Sequence, residues 1–331
     1  MRKVLISILG VLFVCFLGIL LSAGIINRNF DSRPDFVPES FCSTSDADAP
    51  SISIYGGDFV VVKIGESYQD AGADFQDDCA IIESSTENNV KVDEIGTYEV
   101  IYSATDEAHN TAKATRIVNI VPEYRGTIYL TFDDGPGPYT ASLLDVLKKY
   151  NIKATFFVTG AGEDDLIARE YNEGHAIGLH TSSHNYAYIY QNINNFFVDL
   201  YKIQDRVKNI TGATSFLLRF PGGSSNTVSR RYDGGVRIMS KLVNEVAKRG
   251  FTYFDWNITS GDAGEATSTE QIYQNVINNL KEGGSSVVLQ HDVKDFSVAA
   301  VESIIRYGLS QGYVFDKLDS SSFAAHHRIN N

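Results

Sequence analysis

Apolar and polar positions divide this chain into stretches of different texture. Residues 4–26 form an apolar run without a charge, preceded by Met1-Arg2-Lys3. A run of that length spans a bilayer as a helix, and the basic lead predicts an N-terminus held inside with all that follows outside. We therefore expect a transmembrane signal-anchor over residues 1–26 and a single-pass protein with the rest of the chain extracellular. Ser22-Ala23-Gly24 would also suit a processing site, which would make the mature chain a secreted one. Residues 27–50 carry Pro34, Pro38 and Pro50 among many Ser and Asp, the composition of a linker.

From residue 51 to 121 short runs alternate, SISIYGG, FVVVKIGESY, YEVIYSATD and TAKATRIVNIV, separated by Gly, Asp and Asn. No helical period of useful length occurs, so an antiparallel β-sandwich is expected. After Pro122 strand and helix signals take turns. TIYLTFDD, KATFFVTG, FLLRFPGG, FTYFDWNI and SSVVLQHD read as strands. Residues 141–150 put Leu143, Leu144 and Leu147 on one helical face, with Thr140 placed to cap, and residues 192–210 stripe Phe196, Leu200, Ile203 and Val207 before a stop at Gly212. Ser268 and Gln271 have capping-box spacing. Repeated strand-helix units predict an α/β domain over residues 122–322, built on a parallel barrel or sheet with its site at the carboxyl ends of the strands, and a tail over 323–331.

Charge sharpens the division. The formal net charge is -13, yet residues 27–121 hold 18 acids and 6 bases while residues 122–331 hold 23 and 20. An acidic module repels phosphate backbones, which sets nucleic acid aside as a partner. Only Cys42 and Cys79 lie outside the apolar run. An oxidising exterior permits one disulfide between them, but their separation in space is not given by sequence.

Candidate chemistry gathers at the predicted strand ends. Asp133-Asp134-Gly135-Pro136 delivers two adjacent carboxylates, and like charges so close call for a cation or donor between them; alone, the stretch could be a polar turn. His180 and His184 stand four apart after a strand. Two imidazoles and one Asp from another strand make the donor set of catalytic zinc, with positions open for water and substrate, and the HExxH glutamate of zinc proteases is missing. Arg219-Phe220-Pro221-Gly222-Gly223, Asp255-Trp256 and Leu289-Gln290-His291-Asp292 complete the set. An arginine beside a carboxylate holds it ionised, and a carboxylate beside a histidine favours imidazolium; these opposed tunings suit an acid and a base at one amide.

In TFDDGP, HTSSH, RFPGG, DW and LQH the sequence resembles the polysaccharide deacetylases of the NodB-homology class, carbohydrate esterase family four. The resemblance implies a distorted (β/α) barrel with fewer than eight strands. It implies Asp133 as base; Asp134, His180 and His184 as metal ligands; and Arg219 orienting Asp133. Further, Gly222 would help hold the oxyanion through its amide, Asp255 would tune the acid, and His291 would be that acid. Trp256, Leu289, Pro221 and Gly223 would contact substrate. The implied metal is divalent, zinc first, with cobalt or manganese as alternates. One departure stands out: many relatives have Tyr where Gly222 stands, so an aromatic wall would be missing. Residues 51–121, through DAPSISIYGG, IGESYQDAGA and VDEIGTYEVIYSATDEAHNTA, resemble a bacterial immunoglobulin-like module, which could contact the wall or a protein. The expected activity is removal of N-acetyl groups from a cell-wall glycan, peptidoglycan N-acetylglucosamine first. Chitin, an exopolysaccharide or an O-acetylated xylan are other substrates, and a catalytically silent surface-binding protein or a metal-dependent phosphoesterase are rivals from other classes.

Overall fold

The computed structural model describes residues 46–330 of the chain. The expected signal-anchor over residues 1–26, and with it the membrane as a partner, lies outside them, as does most of the linker. Among the described residues no helix is long and apolar enough to cross a membrane.

The N-terminal module contains β1 (Ser51–Ile54), β2 (Phe59–Lys63), β3 (Ala73–Gln76), β4 (Ile81–Asn88), β5 (Gly96–Asp106) and β6 (Thr111–Val121). β1 pairs with β3, and a second sheet runs β2-β6-β5-β4. The expectation of a wholly antiparallel sandwich needs one correction, because β2 runs parallel to β6. No hairpin constrains that pair: the strands are far apart in sequence and β2 enters from the facing sheet, the kind of crossover a parallel pairing needs. Val62, Val100, Tyr102, Val118 and Ile120 fill the space between the sheets. The buried Arg116 pairs there with Asp70, which also accepts from Tyr102 Oη at 2.9 Å. Cys79 is buried and disulfide-bonded, its partner lying outside the described residues.

The C-terminal domain alternates β7 (Gly126–Asp133), α1 (Thr140–Lys149), β8 (Thr155–Val158), α2 (Asp164–Asn172), β9 (Ala176–Leu179), α3 (Tyr186–Ile189), α4 (Ile193–Thr211), β10 (Leu217–Leu218), α5 (Ile238–Lys248), β11 (Thr252–Tyr253), β12 (Ile258–Thr259), α6 (Thr269–Ile277), β13 (Ser285–His291), α7 (Asp295–Ser310) and β14 (Tyr313–Phe315). Among the described residues the sheet has eight strands, where the resemblance implies fewer: the order is β11-β10-β9-β8-β7-β13-β12 with β14 also on β7, every pair parallel, and no pairing joins β11 to β12, so the barrel stays open there. β13 follows one edge of β7 over Thr127–Asp133, and the other edge is shared by β14 at its start and β8 at its end. Helices cover the sheet, so β8 is buried along its whole length and reads TFFV without alternation. The α4 stripe Phe196, Leu200, Ile203 and Val207 is buried as its spacing predicts, and Gly212 closes that helix in the left-handed conformation.

Two capping expectations are modified. Ser268 caps α6 by accepting from the Gln271 amide at 3.3 Å, but Gln271 Oε1 reaches back to the Thr267 amide. Thr140 is the first residue of α1 rather than its cap; its hydroxyl accepts from the Gly137 amide at 2.8 Å and bonds to the Asp292 carboxyl. The immunoglobulin-like module packs on the C-terminal ends of α1 and α7. Phe59 meets the Tyr150 ring edge-on at 5.8 Å, Arg306 lies 4.6 Å over Phe59, and Lys149 is 3.9 Å from Asp58. In a parallel α/β sheet those helix ends lie at the amino ends of the strands, the side opposite the site.

Candidate active site

Asp133 closes β7 and is paired in register with His291 at the end of β13. Residues opposite each other in a sheet present their side chains to the same face, so the ladder itself brings these two together. Asp133 is buried, and Arg219 Nη1 donates to its Oδ1 at 2.8 Å and to Thr131 Oγ1 at 2.7 Å. The guanidinium also donates to the carbonyls of Phe254 and Asp255, both at 3.0 Å, and stacks 4.2 Å over Phe157. A fully buried guanidinium fixed by that many acceptors holds the neighbouring carboxylate in one orientation.

The next residue, Asp134, takes φ +74 and is followed by a cis Gly135-Pro136 bond. Left-handed backbone is more readily adopted by Asp than by most side chains, and here it turns the second carboxylate out of the strand direction. Gly135 has no space for a side chain: a Cβ there would lie 2.2 Å from Asp292 Oδ2. His180 follows β9 and donates its Nδ1 hydrogen to the Arg219 carbonyl at 2.8 Å. The tautomer is thereby fixed, with the Nε2 lone pair facing the cleft 3.6 Å from Asp134 Oδ1. His184, at φ +50, brings its Nε2 to 3.4 Å from the same oxygen. Burial and then the neighbouring His180 lower its pKa against the opposing pull of Asp134 and Asp133, which favours a neutral ring with a lone pair to offer. Donor atoms of Asp134, His180 and His184 lie within 4.8 Å of one another, and Asp134 Oδ1 is buried with no hydrogen-bond partner in the described structure. An orphaned carboxylate oxygen faced by two imidazole nitrogens is a donor set that fits a divalent cation.

His291 faces this trio, its Nε2 being 3.9 Å from Asp134 Oδ2. Its partner is Asp262, whose Oδ1 is 2.8 Å from Nδ1 and whose Oδ2 accepts the His291 amide at 2.7 Å and the Ser297 hydroxyl at 2.7 Å. Burial alone would lower the His291 pKa. The Asp262 hydrogen bond and charge, followed by the charges of Asp133 and Asp134, outweigh that and raise it to about 9. The expectation that Asp255 tunes the acid is therefore corrected. Asp255 is buried elsewhere: it accepts from the Ser224 amide at 2.7 Å, from the Ser224 hydroxyl, and from the His327 amide at 2.8 Å. Its donors come from the turn after Arg219 and from the C-terminal residues, which leaves it a structural anchor.

Asp133, Asp134, His180, His184 and His291 share one cleft of about 410 Å³ with Trp256, Leu289 and Gly222, together with Tyr186, Ala263 and Lys294. Pro221 and Gly223 are not on its wall. The Pro221 carbonyl accepts from Tyr190 Oη at 2.7 Å, and Gly223, at φ +78, lies so close to Trp256 that a Cβ would come within 2.9 Å of the indole. These two residues shape the turn that presents Gly222 and seats Trp256. The expected tail backs this wall from outside the cleft: His327 Nε2 bonds to the Trp256 carbonyl at 2.7 Å while its ring meets the indole edge-on at 4.7 Å.

Comparison with known proteins agrees with this architecture. The family described as polysaccharide deacetylase matches residues 121–234, and the Ig-like domain of bacterial surface proteins matches residues 52–120. A peptidoglycan-N-acetylglucosamine deacetylase of Bacillus cereus is 34% identical over 250 residues, which is 68% of this chain and 87% of that protein. The chain belongs to the polysaccharide deacetylase family. It is thus a hydrolytic deacetylase. The crystal structure of the catalytic domain of a peptidoglycan N-acetylglucosamine deacetylase from Eubacterium rectale is 52% identical, with a TM-score of 0.59 over 62% of this chain and 94% of that one. A relative from Bacillus subtilis, 31% identical over 61% of this chain and 74% of its own, is named for N-acetylmuramic acid instead. Names within the family therefore cover more than one sugar.

In this deacetylase three contributors escaped the sequence argument. Asp262 lies in TSGDAG, just past β12, where an acid at a strand end was a usable signal overlooked in favour of the Asp255-Trp256 dipeptide. Tyr186 opens the four-residue α3, too short for any periodicity. Lys294, at the cleft rim, had no pattern to mark it.

Proposed function

We propose that this deacetylase removes the N-acetyl group from N-acetylglucosamine in peptidoglycan, releasing acetate and leaving a free amine. The observation that carries the reading is the pairing of Asp133 with His291 on adjacent strands, one held by a buried arginine and the other by a buried carboxylate, in the same cleft as Asp134, His180 and His184. Asp134, His180 and His184 would hold a divalent cation, zinc first. Bound there, such an ion polarises an acetyl carbonyl and makes water more acidic. Asp133, held in place by Arg219, accepts the proton of the attacking water. The Gly222 amide, on the cleft wall, donates to the carbonyl oxygen as negative charge collects on it; comparable donors are worth about 3 kcal/mol. His291, protonated through Asp262, gives its proton to the departing nitrogen. Trp256 and Leu289 wall the cleft around the sugar and its acetyl group.

The choice of peptidoglycan is supported by the names of the relatives and by the sequence at residues 1–26, which argues for export and retention at the outer face of the membrane. The immunoglobulin-like module would then stand between membrane and wall. The test is acetate release by the full chain from peptidoglycan, chitin oligosaccharides, N-acetylated exopolysaccharide and acetylated xylan, with chelator and with zinc restored. Release from peptidoglycan that chelator abolishes and zinc restores is expected. Preferential release from xylan would overturn the substrate, and chelator-insensitive release would overturn the role given to the trio. His291→Ala should abolish turnover while its metal content stays at the wild-type level.

A further inference from the structure

Tyr186 stands where Gly222 leaves room. A Cβ on Gly222 would come within 2.8 Å of Tyr186 Oη and 3.3 Å of its Cε1, so the phenol lies directly against the turn that presents the Gly222 amide. Gly222 has φ +76, a conformation that favours glycine, and no side chain of its own competes for that space. The ring is fixed from two sides. It meets His184 edge-on at 5.2 Å and Tyr190 at 5.6 Å, and Tyr190 is itself tied to the Pro221 carbonyl. Asn185 caps the short helix by accepting from the Ala187 amide. Tyr186 lines the cleft together with the acid, the base and the trio, and its hydroxyl makes no hydrogen bond among the described residues. A phenol locked in orientation with its hydroxyl left open to a cleft is a donor waiting for a ligand.

We propose that Tyr186 is a substrate-contacting residue of this deacetylase: its ring supplies the aromatic wall beside Gly222, and its hydroxyl donates a second hydrogen bond, next to the Gly222 amide, to the acetyl oxygen as that oxygen becomes an oxyanion. The inference rests on the deacetylase reading of the same cleft. It differs from a packing role in one respect, because removing only the hydroxyl leaves every ring contact in place.

The test is Tyr186→Phe in the full chain, assayed for acetate release from peptidoglycan and chitin oligosaccharides, with zinc content and melting temperature measured on the same samples. Loss of a donor used in the transition state should lower kcat by about 10- to 100-fold, with KM, zinc content and melting temperature near wild type. Tyr186→Ala, which also removes the wall, should raise KM in addition. A Phe variant with kcat within a few-fold of wild type overturns the inference. So does a Phe variant that loses zinc or stability in step with activity, since the hydroxyl would then be serving the fold. If the wild-type chain releases no acetate from any of the glycans, the deacetylase reading fails and takes this inference with it.

Discussion

Replacing Asp262 by Asn removes one charge and tests the acid directly. His291 acts in its protonated form, so activity is present below its pKa and declines as pH rises through it. In the folded protein that pKa is raised from 6.5 to about 9, against burial, by the Asp262 hydrogen bond and charge first and by Asp133 and Asp134 after them. At about 1.36 kcal/mol per pH unit, the stabilisation of imidazolium over an ordinary histidine is roughly 3 kcal/mol. Without Asp262 the largest raising contributions disappear while burial continues to lower the value. The alkaline limb of kcat should therefore move acidward. If the pKa falls even to its ordinary 6.5, the protonated fraction at pH 8 drops ~30-fold. The assay is acetate release between pH 5 and 10 for wild type, Asp262→Asn and Asp255→Asn. Any cation in the trio acts on all three proteins alike, so the differences between them are the measurement. An alkaline limb that stays put in Asp262→Asn, or one that moves in Asp255→Asn, would refute the reasoning.

Two further outcomes follow from the same contacts. Arg219→Ala strips a buried carboxylate of its cation, and breaking a buried pair in this way should cost about 3–5 kcal/mol of stability in urea denaturation, with activity lost even where the variant remains folded. A chain ending at Ser322 loses the His327 contacts to Asp255 and Trp256; we expect about 1–3 kcal/mol less stability by thermal melting and a raised KM, while the alkaline limb keeps its position.

What could be read from the sequence was what lies in one short stretch at the end of one strand. Asp133 and Asp134, His180 and His184, Arg219 and His291 each close a recognisable run, and the parallel register then gathers them. The strands β10, β11 and β12 have two residues each, too few to show alternation, and what they position was correspondingly obscure. Asp262 illustrates the cost. It reaches His291 only because β12 pairs with β13, a relation between residues nearly thirty apart that no local pattern expresses. Asp255-Trp256 matched a dipeptide, and the match was silent about direction: one residue faces the C-terminal chain and the other the cleft. The docking of residues 323–330 was equally hidden, since FAAHHRIN carries neither helical nor strand periodicity.

Register in the central ladder has a mechanical consequence. Asp133 and His291 hang from rungs of a fully hydrogen-bonded pair of strands, so the distance between proton acceptor and proton donor is as stiff as the sheet. Of the residues that would meet the sugar, Gly222, Trp256, Ala263 and Lys294 belong to connections beyond the strand ends and Tyr186 to the short α3, while Leu289 sits on β13 itself. Loops can therefore be exchanged to recognise another glycan while the acid–base spacing is inherited unchanged, which makes this chain a ready scaffold for retargeting by loop grafting.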